Sequence, residues 1–408
     1  MENRFIHLFA NLLVIGLLTN CTDYKNLEYK KAIDLIKKKN FEEFGYVLDD
    51  KKENVIKIRI ENTESLTSFP EELRAFQHLE EIKIKYCNLN EIPEFITEFT
   101  NLKRLIIEGN PITEIPEYIT ECKKLHVLDI ENTDIKELPN FLKKLPLTGI
   151  QMKGSKVHGF PKILYEYDSL RALSLNELDE LPADINTFNL NILYVSLKSF
   201  KYLETIESLE ILDLSDSKGA SLPKDFGKLK KLKDLTLRNC KNLVKLPESI
   251  GNIRRFWGLI LGGCSRLTAL PQSLTNSGIS VLHLDSCYNL RTVPKGLRIG
   301  SLTANYTKWK SIPNGIFYSS CQTLKITDHQ ITNITGISNM YNLTSINLSR
   351  GKIKKIPDEI GRLKKLRLLL MEHNDIKEYP RALSNCPNLK SVRLFGNPVY
   401  DMSELNDI

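Results

Sequence analysis

Between Val55 and Val399 one pattern recurs about sixteen times, L-x-x-L-x-L-x-x-N/C/T-x-(x)-L-x-x-L/I-P, at a spacing of roughly 22 to 24 residues. Clear copies are LKRLIIEGNPITEIP from Leu102 and LRLLLMEHNDIKEYP from Leu366. In L-x-x-L-x-L the apolar residues alternate, which predicts a short strand that buries one face. The Asn, Cys or Thr that follows is expected to turn inward and satisfy backbone groups at the corner. A single copy of this length cannot bury its own apolar face, so the copies must stack into a solenoid with a shared core. At about 4.8 Å per strand, sixteen strands make a concave parallel sheet on the order of 75 Å long. A surface of that kind suits a macromolecule better than a small ligand.

The closing L/I-P step is followed by short apolar patterns, as in IPEFITEFTNL, LPESIGNI and IPDEIGRLKKL. Proline fits the first turn of a helix, where its missing N–H is no loss, so short helices or 3₁₀ turns are expected on the convex side. Over about 85% of the chain these residues resemble the leucine-rich-repeat family. Most copies are similar to the typical bacterial type. LTLRNCKNLVKLP, LILGGCSRLTALP and LHLDSCYNLRTVP resemble the cysteine-bearing variant common in plant resistance proteins. The fold implied is an α/β leucine-rich-repeat solenoid, a horseshoe.

Residues 1–20 read as a signal peptide: Arg4 precedes an apolar run, Phe5 to Leu18, of about fourteen residues, too short to span a bilayer as a helix. It ends Leu18-Thr19-Asn20-Cys21, which resembles a bacterial lipobox and implies lipidation at Cys21; Asn20 departs from the small residue usual there, and spirochaete-like lipoproteins are looser at this position. Thr22, rather than Asp, resembles lipoproteins sent to the outer membrane. Residues 21–54 are expected to be a linker and capping helix, with Tyr29, Ala32, Ile33 and Ile36 at helical spacing and Asn40 as its stop. The solenoid is placed at 55–400 and a short C-terminal cap at 401–408.

The net charge of +7 comes from lysines scattered before repeat starts, as in GKLKKLKDL, which reads as a solvated face and argues against nucleic-acid binding. Seven cysteines after Cys21 occupy packing positions and are expected to be free thiols, including Cys240, Cys264 and Cys287 in consecutive copies. There is no G-x-x-x-x-G-K-S/T, G-x-S-x-G or H-E-x-x-H motif and no histidine spacing suited to a metal, so neither an enzyme nor a metal or cofactor site is expected.

Function is then left to the outward strand residues. The lining is charged at the N-terminal end (Arg59, Glu61, Lys83, Lys85) and mixed in the middle, which favours protein recognition over binding of a repetitive polymer. The candidate partner-binding set is Tyr194, Asp213, Thr236, Arg238, Ile260, His283 and Asp285, with Trp257 near the edge and Gly262-Gly263 opening space. Leu370 and Phe395 form a second apolar spot that could contact another copy. The reading is a non-enzymatic lipoprotein of a Gram-negative envelope, held to the outer membrane by its acyl chains and binding a protein partner as an adhesin or host-interaction factor. A periplasmic scaffold and an effector acting in host cells are its alternatives.

Overall fold

A computed structural model describes residues 27–39 and 41–399. The chain divides into two compact units, Met1–Ser169 and Leu170–Ile408. Cys21, the signal segment, Asn40 and the 401–408 cap lie outside the described residues.

The first unit opens with helix α1, Leu27–Lys38, which buries Tyr29, Ala32, Ile33 and Ile36, the residues the periodicity had placed on one face. The Tyr29 ring lies 5.5 Å from that of Phe76, and Lys39 pairs with Glu72 at 2.8 Å, so the helix covers the first repeat. An element not expected from sequence follows. Strand β1, Glu43–Leu48, runs antiparallel to β2, Val55–Glu61, and the Asp49 carboxylate closes the turn by accepting from the Glu53 amide at 2.8 Å and the Asn54 side-chain amide at 2.8 Å. From β2 the strands are parallel and in step through β3 (Glu81–Lys85), β4 (Arg104–Ile106), β5 (Val127–Asp129) and β6 (Gly149–Gln151), with Ile58, Ile82, Leu105, Leu128 and Ile150 buried in one row.

The convex elements of this unit are five-residue 3₁₀ turns such as Glu94–Glu98 and Glu117–Glu121, entered through Pro93 and Pro116, both at φ −75°. One buried isoleucine in each, Ile96 or Ile119, points to the core. A turn this short needs only one such anchor, and the next strand begins a few residues later.

The second unit stacks eleven strands, β7 (Ala172–Ser174), β8 (Ile192–Tyr194), β9 (Ile211–Asp213), β10 (Asp234–Thr236), β11 (Arg255–Ile260), β12 (Gly278–His283), β13 (Arg298–Thr303), β14 (Thr323–Lys325), β15 (Ser345–Asn347), β16 (Leu368–Leu370) and β17 (Ser391–Arg393). All are parallel, and Leu212, Leu235, Leu259, Leu282 and Leu302 stand opposite one another in the core. Its convex side carries 3₁₀ turns and one helical turn, α2, Asn314–Phe317.

The corner residues behave as their chemistry requires. Asn110 is 1% exposed; its amide donates to the Ile84 and Ile107 carbonyls at 2.9 and 2.8 Å, and its oxygen accepts from the Leu89 amide at 3.1 Å. Cys240, Cys264 and Cys287 replace this with a thiol donated to a carbonyl of the preceding repeat, Leu214, Leu237 and Leu261, at 3.2, 3.1 and 3.1 Å. All seven described cysteines are free and buried, and burial raises their thiol pKa values, Cys287 and Cys321 to about 12. The residue just before each corner lies in the left-handed region: Tyr86 (φ 52°), Asn132 (54°), Asn239 (57°), Ser286 (56°), Tyr306 (56°) and His373 (53°). Each of these amides bonds to a carbonyl of the next repeat, as Tyr86 does to Glu108 at 2.9 Å and Asn239 to Gly262 at 2.8 Å, which extends the ladder past the strand and offsets the backbone cost.

Candidate protein-binding face

On the solvent face of the second unit, register places Tyr194, Asp213, Thr236, Ile260 and His283 side by side on five consecutive strands. Thr303 and Lys325 continue the row. Two residues further along, a second row contains Arg238, Gly262 and Asp285. The structure therefore brings together Tyr194, Asp213, Arg238, Ile260, His283 and Asp285, all half-buried.

Two expected members are placed differently. Thr236 is in the row, between its register neighbours Asp213 and Ile260, but is only 6% exposed and so offers little surface for contact. Trp257 is 46% exposed at the entry of β11, three residues before Ile260 and so roughly 10 Å away along the strand. There the Lys233 ammonium sits 5.0 Å from its ring centre, and the pair forms a rim instead of lining the rows.

The acids of this face are engaged by backbone. Asp213 accepts from the Ser215 amide at 2.7 Å and Asp285 from the Asn305 amide at 2.7 Å. The cations are not: neither Arg238 nor Lys325 makes a side-chain hydrogen bond or ion pair among the described residues, and the Arg238 Nε is shielded from solvent without an acceptor. Burial lowers the pKa of His283 below its ordinary value, Arg238 and Lys325 lower it further, and Asp285 opposes them. Lys325 is the residue that sequence reasoning failed to single out, since its relation to His283 appears only when β12, β13 and β14 are in register.

On the N-terminal strands of the first unit the corresponding face is internally paired. Arg59 meets Glu61 at 2.7 Å, Lys83 meets Glu61 at 2.9 Å, and Glu108 accepts from both Lys85 and Tyr86. Carboxylate oxygens of Glu108, Asp129 and Glu131 lie within 4.8 Å of one another. Burial first, then repulsion from Glu131, pushes the Asp129 pKa up to about 7, against an amide hydrogen bond from Glu131 at 3.0 Å and the Lys85 charge. This set is acidic, but Glu108 is already occupied by its own neighbours. In the second unit the Leu370 and Phe395 spot is uneven: Leu370 is half-buried, while Phe395 is 75% exposed with its ring edge-on to His373 at 5.4 Å.

Comparison with known proteins agrees with this architecture. Residues 341–399 match the family described as leucine rich repeat, and residues 100–144 match leucine rich repeats in two copies. No curated protein matches. Among solved structures, a leucine-rich-repeat protein of Leptospira interrogans is similar, with a TM-score of 0.64, 23% identity, and 94% of this chain and 96% of that one covered. Toll in the Drosophila Toll–Spatzle complex is similar at a TM-score of 0.51 and 18% identity, over 81% of this chain and 46% of that one. An internalin of Listeria monocytogenes matches at 0.46 and 17%, over 91% and 96%. The fold is the leucine-rich-repeat solenoid, with about sixteen repeats.

Proposed function

We propose that the chain is a non-enzymatic binding protein that holds a partner protein against the open sheet face of its second unit. The observation that carries this reading is the set Tyr194, Asp213, Arg238, Ile260, His283 and Asp285: side chains of unlike chemistry, half-exposed on neighbouring strands. An aromatic, an arginine and an aliphatic centre are the usual anchors of an interface. Toll, which shares the fold, is seen in complex with the protein Spatzle. The lipobox-like LTNC ending at Cys21 supports the further reading that acyl chains on Cys21 hold the protein to the cell envelope, at the outer membrane.

Truncating Tyr194, Arg238 and Ile260 together to Ala is expected to abolish capture of the partner from solubilised envelopes or host extracellular proteins. At about 2 kcal/mol for each anchor the loss amounts to several orders of magnitude in affinity, with thermal unfolding nearly unchanged. Lys230→Ser with Lys231→Ser, on exposed lysines away from the rows, serves as the control. Loss of capture in the control but not in the triple variant overturns the reading. For the anchor, Cys21→Ser should release the protein from membranes or leave an unprocessed precursor; membrane retention with unchanged mass counts against lipidation.

A further inference from the structure

Gly262 stands between Arg238 and Asp285 in the second row and contributes no side chain, so a notch separates the two charges. A Cβ at Gly262 would lie 3.6 Å from the Asp285 carbonyl oxygen and 3.7 Å from its Cβ, both ordinary contacts, and would meet nothing of Arg238 within 4 Å. Ile260 and His283, the register neighbours of the first row, flank the notch.

Hydrogen-bonding capacity around it is unbalanced. Asp285 and Asp213 each accept a backbone amide, whereas the Arg238 guanidinium and the Lys325 ammonium donate to nothing among the described residues. Only the Arg238 Nε is shielded from water; its terminal nitrogens and the exposed Lys325 ammonium are open to an acceptor brought by a partner. On the first unit's face, by contrast, Lys83 and Lys85 are already met by Glu61 and Glu108.

We propose that the notch over Gly262 receives an acidic side chain of the partner protein, a Glu or Asp in an extended segment, which accepts from Arg238 and is drawn in by Lys325. The inference rests on the reading of this face as the partner site and names the chemistry of what enters it. A planar carboxylate matches the fork of donors on an arginine. Asp285, held toward the Asn305 amide, sets the far wall and repels any acid on its own side, which confines the entering carboxylate to the Arg238 side of the notch. Ile260 supplies the apolar contact that keeps water from the pair.

The probe is a fluorescein-labelled decapeptide of alternating Glu and Ala, with an alternating Lys and Ala peptide as its counterpart, read by fluorescence anisotropy against the full chain. The acidic peptide should bind and the basic one should not. Arg238→Gln should weaken binding about tenfold or more, the usual loss for a hydrogen bond to a charged group. Gly262→Leu fills the notch without altering any charge and should do the same, with its melting temperature confirming that it folds. Lys230→Ser with Lys231→Ser should change affinity less than about twofold.

Absence of acidic-peptide binding overturns the proposal, as does full retention in both Arg238→Gln and Gly262→Leu, equal loss in the lysine control, or displacement by millimolar inorganic phosphate, which would make this a simple anion site. The parent reading fails separately. A partner lost on truncating Tyr194 and Ile260 but indifferent to Arg238→Gln and Gly262→Leu leaves the face as the binding site and removes only the acid from it.

Discussion

At the scale of single residues, polar groups in this protein divide into those satisfied by the chain and those left over. Asn110 belongs to the first kind: four backbone groups from two repeats converge on one side chain that is almost fully buried. Asn110→Ala should cost about 2 to 4 kcal/mol, since each orphaned buried group carries its own desolvation penalty, and the midpoint of urea unfolding measures it. Asp129 is a residue whose proton is favoured by the fold. Its pKa rises from 3.8 to about 7 on folding, so over that interval the folded chain binds more protons than the unfolded one. Its contribution to stability is therefore present at low pH, is lost as pH rises through about 7, and is level above that. Asp129→Asn removes this dependence. The stability difference, variant minus parent, should grow in the variant's favour between pH 4.5 and 7.5, and a flat difference in urea titrations across that range would refute the assignment.

Among the elements, the repeat strands and helix α1 were the most legible and strand β1 the least. The alternation in L-x-x-L-x-L placed Leu235, Leu259 and Leu282 inward, and each is fully buried. Leu235→Asp sets an unpaired carboxylate into the core shared by β9, β10 and β11, and should lower stability by about 4 kcal/mol or more, read as loss of the folded baseline in circular dichroism. The candidate site was legible as rows, because strand register fixes which residues stand side by side. Its depth was not. Nothing in the sequence shows that Thr236 is buried within its row, nor that Lys325 bears on His283. Strand β1 escaped notice because EFGYVL is half-exposed along nearly its whole length and shows no period of two. It is recognisable only as the antiparallel cover of an otherwise open edge, a role set by its neighbour β2.

Across the whole molecule, stability is a sum over neighbouring repeats, so local damage spreads by adjacency. In the second unit, hydrogen exchange of Leu235→Asp should accelerate first in β9 and β11 and only later in β15 and β16; uniform loss of protection would mean that this unit unfolds as one block. Among the described residues no helix is long and apolar enough to cross a membrane. The left-handed corners carry a consequence for how such a surface changes over generations. In the second unit Asn239, Ser286, Tyr306, Arg350 and His373 all take a positive φ with five different side chains. The ladder bond that holds each corner uses only main-chain atoms and so does not depend on which side chain stands there, although the positive φ disfavours β-branched residues. Beside the binding rows runs a column of positions at which substitutions can accumulate one at a time, giving a lineage a margin in which to try new partners while the scaffold is inherited intact.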